Sequence, residues 1–395
     1  MTTLFVYDYG IEYDNPLHID MKSSWLNESQ LIQIATKSPN VRNLRINRPV
    51  FDITADGANH LAQSWPRVEK LDLKGSRFNS LFLENLMCHF PLLTKLKMDA
   101  PYRVERRIFD TIFSNHPNLS DFECDFRYGS DTNWFRSCHV PLERFAVNHL
   151  WDEDATLDTL ENCCENSLQT IKVGFLITAG PELIRRIFST FHQLRDVSLS
   201  FIKYSSLPNQ PVLRHLEKLC LAPEISDNNE NLNLIDFLKL YPQLKELHLE
   251  KWQADDKFVE KITTASPNLR SLSFVAVNLT GAGWSKLGSL TELEYFIPGI
   301  THSWNVENVL AFVRETPSLK HLTIRRLTND ANDYLVLLRA LRDDFRASGS
   351  NRRLSISRDD VMSFSVNSSE TCSDQAIEEF VIQIVKSSRR IKRRC

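Results

Sequence analysis

One eight-residue pattern keeps returning in this chain, and it limits the possible folds more than any other feature. Pro242 to Leu249 reads PQLKELHL, Pro317 to Ile324 PSLKHLTI, Pro267 to Phe274 PNLRSLSF and Pro91 to Met98 PLLTKLKM. Each copy sets an apolar anchor two residues after a proline, with further apolar residues three and five beyond the anchor. The anchors fall at Val41, Val68, Leu93, Leu119, Leu142, Leu168, Leu194, Leu216, Leu244, Leu269, Leu290 and Leu319, with spacings between 21 and 29 residues. All of the +3 and +5 positions are apolar or a thiol, Tyr295 among them as the +5 residue of Leu290. Chance does not produce that in a chain that is 42% hydrophobic. A fixed period of this length is the mark of a stacked-repeat architecture.

The +3 and +5 residues alternate with polar ones, the period of a half-buried strand. Between them runs a second, helical period, as in Leu83-Leu86-Met87-Phe90, Ile108-Phe109-Ile112-Phe113 and Val306-Val309-Leu310-Val313. Each unit is therefore read as a strand, a turn, a helix and a return loop. One unit cannot bury both of its apolar faces alone, so units must stack. The expected result is an α/β solenoid: a curved horseshoe with a parallel sheet on the concave face and helices on the convex face. Residues 1–40 are expected to form an N-terminal cap, 41–356 the solenoid, and 357–395 a C-terminal capping helix with a basic tail. Within these ends the reading places a partial strand at Leu17–Ile19 and a helix at Trp25–Lys37. It also places a helix at Asp333–Phe345, a last degenerate strand at Arg353–Ile356, a loop at Ser363–Ser373 and a helix at Asp374–Ser388.

The pattern resembles the leucine-rich repeats of the ribonuclease-inhibitor-like class, and most closely those of F-box/leucine-rich-repeat proteins. The residues that carry the resemblance are the Pro-led strands and the helix ends before them: His89-Phe90-Pro91, Asn115-His116-Pro117, Leu240-Tyr241-Pro242, Ala265-Ser266-Pro267 and Glu315-Thr316-Pro317. It covers roughly Val41 to Ile356. It implies a non-enzymatic substrate-recognition subunit of a cullin-based ubiquitin ligase, whose protein partners are the ligase adaptor and a substrate held on the concave face. The alternatives within the class are a regulator of another enzyme, of GTPase-activator or nuclease-inhibitor type, and a plain scaffold. Two departures stand out. The family's Asn or Cys after the last strand leucine is replaced by Pro49, Ser76, Pro101, Arg127, Leu150 and Trp252, so the amides of those turns need other acceptors. Residues 1–40 also hold no counterpart of the F-box segment.

Other signals narrow the chemistry. The net charge of −3 argues against nucleic acid and acidic membranes as partners. No apolar run approaches the roughly 20 residues needed to cross a bilayer. The start, MTTLFVYDYGIEYD, is unlike a secretory signal, so the chain is expected to be cytoplasmic or nuclear. Its 8 cysteines include no CxxC and are expected to be reduced thiols. There is no phosphate loop, HExxH or GxSxG, and the histidines lack ligand spacing, so no catalytic residue, cofactor or metal is expected. The terminal RRIKRRC reads either as an anion-binding or nuclear-localisation patch or as a solubilising end.

That leaves the inner strand face as the place where function is expected. Its candidate partner-binding residues are a basic block of Arg45, Lys70, Lys74, Lys95 and Lys97 and an acidic triad of Asp121, Glu123 and Asp125. Farther on come Glu246, His248, Glu250, Arg325 and Arg326. Like charges on neighbouring strands repel, a cost that a charged partner would offset. Phe126, Phe175, Phe201 and Trp252 follow their strands and either line a rim or pack beneath the loops.

Overall fold

A computed structural model describes residues 3–5, 17–22, 27–47, 53–75, 78, 80–100, 106–126, 134–150, 153–176, 181–202, 207, 213–223, 231–276, 279–300, 305–323, 331–348, 353–358, 362–366 and 372–377. The chain divides into two compact units, Met1–Ser206 with Val212–His215, and Leu207–Pro211 with Leu216–Cys395.

The first unit carries strands β1 (Thr3–Phe5), β2 (His18–Lys22), β3 (Asn43–Asn47), β4 (Lys70–Leu73), β5 (Lys95–Asp99), β6 (Asp121–Asp125), β7 (Arg144–Leu150), β8 (Thr170–Leu176) and β9 (Asp196–Ile202). Each pairs in parallel with the next. Between them lie α1 (Glu28–Lys37), α2 (Ala55–Ser64), α3 (Ser80–Leu86), α4 (Arg106–Asn115), α5 (Glu153–Cys164) and α6 (Pro181–Thr190). The second unit runs β10 (Lys218–Pro223), α7 (Asn231–Lys239), β11 (Glu246–Ala254), α8 (Asp256–Ala265), β12 (Ser271–Ala276), α9 (Gly281–Gly288), β13 (Tyr295–Ile300), α10 (Val306–Glu315), β14 (His321–Thr323), α11 (Ala331–Ala347), β15 (Leu354–Arg358) and β16 (Met362–Val366). Its strands are parallel up to β15, and β16 closes the edge antiparallel.

The repeat motif explains this ladder. In the first unit the +3 residues Leu44, Leu71, Leu96, Phe122, Phe145, Ile171 and Val197 stand in register on adjacent strands, each at most 2% exposed. They form one apolar row beneath the helices. In the second unit Leu219, Leu247, Leu272, Phe296, Leu322 and Ile356 do the same. In most repeats the carbonyl just before the strand accepts two amides from the next repeat. Arg42 O, for example, accepts from the amides of Glu69 at 2.8 Å and Lys70 at 2.9 Å. Stacking thus saturates the strand entries as well as burying the leucines.

The structure corrects several expectations. In the repeat anchored at Leu290, Leu272 pairs with Phe296, which moves the anchor to Leu293. The spacings of 21 and 29 residues around it then become 24 and 26. Phe296 turns inward and Tyr295 outward, 43% exposed. Upstream, the partial strand expected at Leu17–Ile19 is β2, which runs on to Lys22 and joins the ladder through Ile19 and Met21. Within the expected loop at Ser363–Ser373, residues up to Val366 belong to β16. The capping helix begins at Asp374, whose carboxylate meets Arg342 on α11 at 2.8 Å, and its continuation past Ile377 lies outside the described residues, as does the basic tail.

The turns that lack the family's asparagine use other acceptors. After β4, the amide of Lys74 donates to Asp72 at 3.0 Å and that of Gly75 to Asp99 at 3.1 Å. After β6, Asn148 closes two bonds with the backbone of Phe126, at 2.5 and 3.0 Å. Among the described residues no helix lies between β6 and β7. Trp134 and Phe135 fill that layer, with Trp134 4.6 Å from both Phe109 and Phe126 and Phe135 4.9 Å from Phe145.

Neighbouring helices share a clasp that appears in both units. Thr54 caps α2, and its amide and hydroxyl donate to Glu28 of α1 at 2.7 and 2.9 Å. Thr280 caps α9 and donates to Asp256 of α8 in the same way, at 2.9 and 2.5 Å. Three residues after each threonine is a glycine, Gly57 or Gly283, where a Cβ would overlap the clasping carboxylate. Alanine favours a helix interior by about 1 kcal/mol over glycine. Here it displaces a carboxylate making two hydrogen bonds worth roughly 1.5 kcal/mol each. Gly283→Ala is therefore expected to lower stability by about 1–2 kcal/mol in urea unfolding, and a stabilised variant would show that the clasp contributes nothing.

Candidate functional site

In each unit the strand residues between the buried ones form a face that, among the described residues, is free of helices. On the first unit the register sorts them into rows. Asp20, Arg45, Asp72, Lys97 and Glu123 follow one another across five strands, so the sign of charge alternates at every step. Arg45 lies 3.3 Å from Asp72 and 3.8 Å from Asp20. Lys97 meets Glu123 at 2.7 Å, and Lys74 reaches Glu123 and Asp125 at 2.5 and 2.9 Å. Lys95 pairs with Asp121, its direct neighbour in register. Arg144 adds contacts to Asp121 and Glu123 at 3.2 and 3.1 Å.

The acidic triad is therefore the partner of the basic block. The expected repulsion is offset within the chain, and this face has no general need for an external counter-charge. Glu123 is the hub. Burial raises its pKa, but hydrogen bonds from Lys74 and Lys97, with their charges, outweigh this and hold it at about 2. Burial likewise opposes the Lys74 ammonium, and hydrogen bonds to Asp125 and Glu123 raise its pKa all the same. Lys70 is the exception. It stands beside Lys95 in register, exposed, with no acidic partner among the described residues. It borders a pocket of about 450 Å³ over β2 to β5, which His18, Asp20, Asn43 and Arg45 also line.

The second unit's face differs. One row runs Lys218, Glu246, Ser271, Tyr295, His321, Ser355, and the next Cys220, His248, Ser273, Ile297. Lys218 neutralises Glu246 at 2.5 Å, and His248 lies 3.7 Å from the same carboxylate. From Ser271 to Ser355 the first row carries no Asp, Glu, Lys or Arg. At its centre the Tyr295 ring stacks on His321, with centroids 4.6 Å apart and planes 7° off parallel. A half-exposed tyrosine among small polar residues is the composition that interface cores favour.

Of the candidate aromatics, Phe126 is 1% and Trp252 4% exposed. Phe126 packs on Trp134, and Trp252 stacks on Phe258 at 5.3 Å, so both belong to the core beneath the loops. Glu250 stands exposed near the middle of β11. Arg325 and Arg326 lie outside the described residues, as do the side chains of Phe175 and Phe201. Tyr295 went unrecognised as a surface residue because the sequence register buried it. The uneven spacings of 21 and 29 residues were the signal. Among the described residues no group of three or more His, Cys, Asp or Glu is placed to hold a metal, and no helix is long and apolar enough to cross a membrane.

Comparison with known proteins agrees with the architecture. No protein-family profile matches the chain. The F-box protein YLR352W of Saccharomyces cerevisiae is 26% identical over 243 residues, covering 58% of this chain and 27% of that protein. The chain thus spans little more than a quarter of the length of this relative. Among solved structures, a chain in the crystal structure of the yeast Rad7 and Elc1 complex aligns with a TM-score of 0.56 at 16% identity, covering 76% of this chain and 79% of that one. The leucine-rich-repeat-containing protein LegL7 from Legionella pneumophila aligns at a TM-score of 0.42 and 14% identity, over 76% of this chain and 98% of that one. The chain has the fold of a leucine-rich-repeat solenoid and is similar in sequence to an F-box protein.

Proposed function

We propose that this chain is a non-enzymatic recognition module that binds a protein partner on the helix-free face of its second unit. Within that role it acts as the substrate-recognition part of a cullin-based ubiquitin ligase. The observation that carries the reading is the weakly charged platform centred on Tyr295. It is rigid, because every strand beneath it is tied into the parallel ladder. It is also cheap to desolvate, because the only charges in the row, Lys218 and Glu246, already neutralise each other. The ligase half rests on the likeness to an F-box protein and the fold shared with a chain of the Rad7 and Elc1 complex.

Affinity capture followed by mass spectrometry, with the product of the complete reading frame as bait, tests both halves. The wild type is expected to hold at least one protein stoichiometrically, and Tyr295→Ala with His248→Ala to retain at least about tenfold less of it, the effect of losing a hot-spot aromatic. Tyr295 is exposed and His248 half-buried on the same face, outside the apolar row, so thermal unfolding should shift by no more than a few degrees. Equal capture by bait and variant would reject the platform as the binding face. Capture of a partner without any adaptor or cullin would reject the ligase half alone.

A further inference from the structure

Three cysteines that the sequence spaces without pattern meet in the first unit. Cys138 lies in the connection between β6 and β7, while Cys163 and Cys164 close α5. The Cys163 sulfur is 3.9 Å from that of Cys138, 25 residues away, and 3.2 Å from that of Cys164. Cys138 and Cys164 are buried, and Cys163 is partly exposed. As a thiol, Cys163 donates to the carbonyl of Thr159 at 3.0 Å. Once it ionises, Cys138 and then Cys164 turn their S–H groups toward it, which pushes its pKa below the usual thiol value.

An accessible thiol backed by a buried one is the arrangement that thiol–disulfide exchange requires. Cys164 is a poor second partner despite its shorter distance. Adjacent side chains leave a helix about 100° apart, and a bond between sequence neighbours closes a small ring that helical backbone does not fit. Cys138 reaches Cys163 from another segment, and a bond of about 2.05 Å needs the two sulfurs to approach by about 2 Å.

We propose that Cys163 and Cys138 form a disulfide by exchange with a low-molecular-weight disulfide, RSSR. The Cys163 thiolate attacks one sulfur of RSSR, forming a mixed disulfide and expelling RS⁻, which takes up a proton. Cys138 then loses its proton to water and attacks the Cys163 sulfur, releasing the second RS⁻. The protein dithiol is oxidised by two electrons and RSSR is reduced to two RSH. The product ties the connection bearing Trp134 and Phe135 to the end of α5. The pair belongs to the first unit alone and does not depend on the partner proposed for the second.

The test treats the folded full chain with oxidised glutathione, quenches with acid, alkylates and maps peptides by mass. In the wild type a Cys138–Cys163 linked peptide is expected. Cys138→Ser should leave glutathione on Cys163, Cys163→Ser should give neither product at this cluster, and Cys164→Ser should keep the link. Exposed Cys88 reports that the reagent is active in every sample. A wild type modified at Cys88 but unlinked at Cys163 overturns the proposal, and so does a link between Cys163 and Cys164. Should a variant not fold, the wild type alone decides: oxidation must remove Cys138 and Cys163 from alkylation together, and protection of only one of them rejects the pair.

Discussion

Leu247→Ala is expected to destabilise the second unit by about 3 kcal/mol, within the range for emptying a leucine site in a packed core. Leu247 is fully buried, with Leu219 and Leu272 beside it in register on the flanking strands. Partners on both sides are themselves pinned by the ladder, so the walls have little room to collapse into the space and the cavity persists. In a stacked-repeat architecture each repeat is held only by its neighbours, so the loss acts on two interfaces at once. The melting midpoint should fall by roughly 6–12 °C, taking 2–4 °C per kcal/mol for a unit of this size. Leu219→Ala with Leu247→Ala should fall short of the sum, because the two cavities merge. A shift below about 1 kcal/mol for Leu247→Ala would mean that this residue is not part of a continuous apolar row.

The second large effect concerns Glu123, to which Lys74, Lys97 and Arg144 all point. Glu123→Gln leaves Asp125 for Lys74 and Asp121 for Arg144. It takes from half-buried Lys97 the carboxylate with which it forms an ion pair, leaving Asp72 on the neighbouring strand as a more distant counter-charge. A cost of about 2 kcal/mol at pH 7 is expected, between that of an exposed and a buried pair. Its pH dependence is the sharper signature. The folded-state pKa is depressed from 4.5 to about 2, so the stabilisation is complete above pH 4.5. As pH falls from 4.5 toward 2 the unfolded chain takes up a proton that the folded one refuses, and the stabilisation drains away. Denaturant titrations of wild type and variant should therefore converge over that interval and meet near pH 2. Glu250→Gln, at an exposed position, should track the wild type throughout. A constant gap between wild type and Glu123→Gln from pH 7 to 2 would show that the carboxylate's charge is not what the lysines hold.

The candidate surface was legible in the sequence only by position. Arg45, Lys70, Lys95, Lys97 and the acidic triad do lie on the helix-free face, as the two-residue period of a strand requires. Whether they are available to a partner was not legible, because charge along a chain does not reveal which strand stands beside which in register. Lys95 reads as part of a basic block until Asp121 is seen opposite it. Phe126 and Trp252 follow the same logic: a large residue one step past a strand sits above or below the loop according to the turn, and the turn depends on acceptors from other repeats. Tyr295 shows the opposite case. Its register was recoverable from spacing alone, since an anchor at Leu293 makes the period more even.

By itself the sequence determined the repeating strand-and-helix unit, the parallel order of the strands and the inward row of leucines. These follow from short-range periodicity and from the need of each unit to bury faces it cannot cover alone. Only the tertiary structure decided which charges cancel, that Phe126 and Trp252 pack beneath the loops and that Cys138 meets Cys163. Those outcomes depend on distances between residues some 25 positions apart, which stacking sets to within ångströms and the local pattern leaves open.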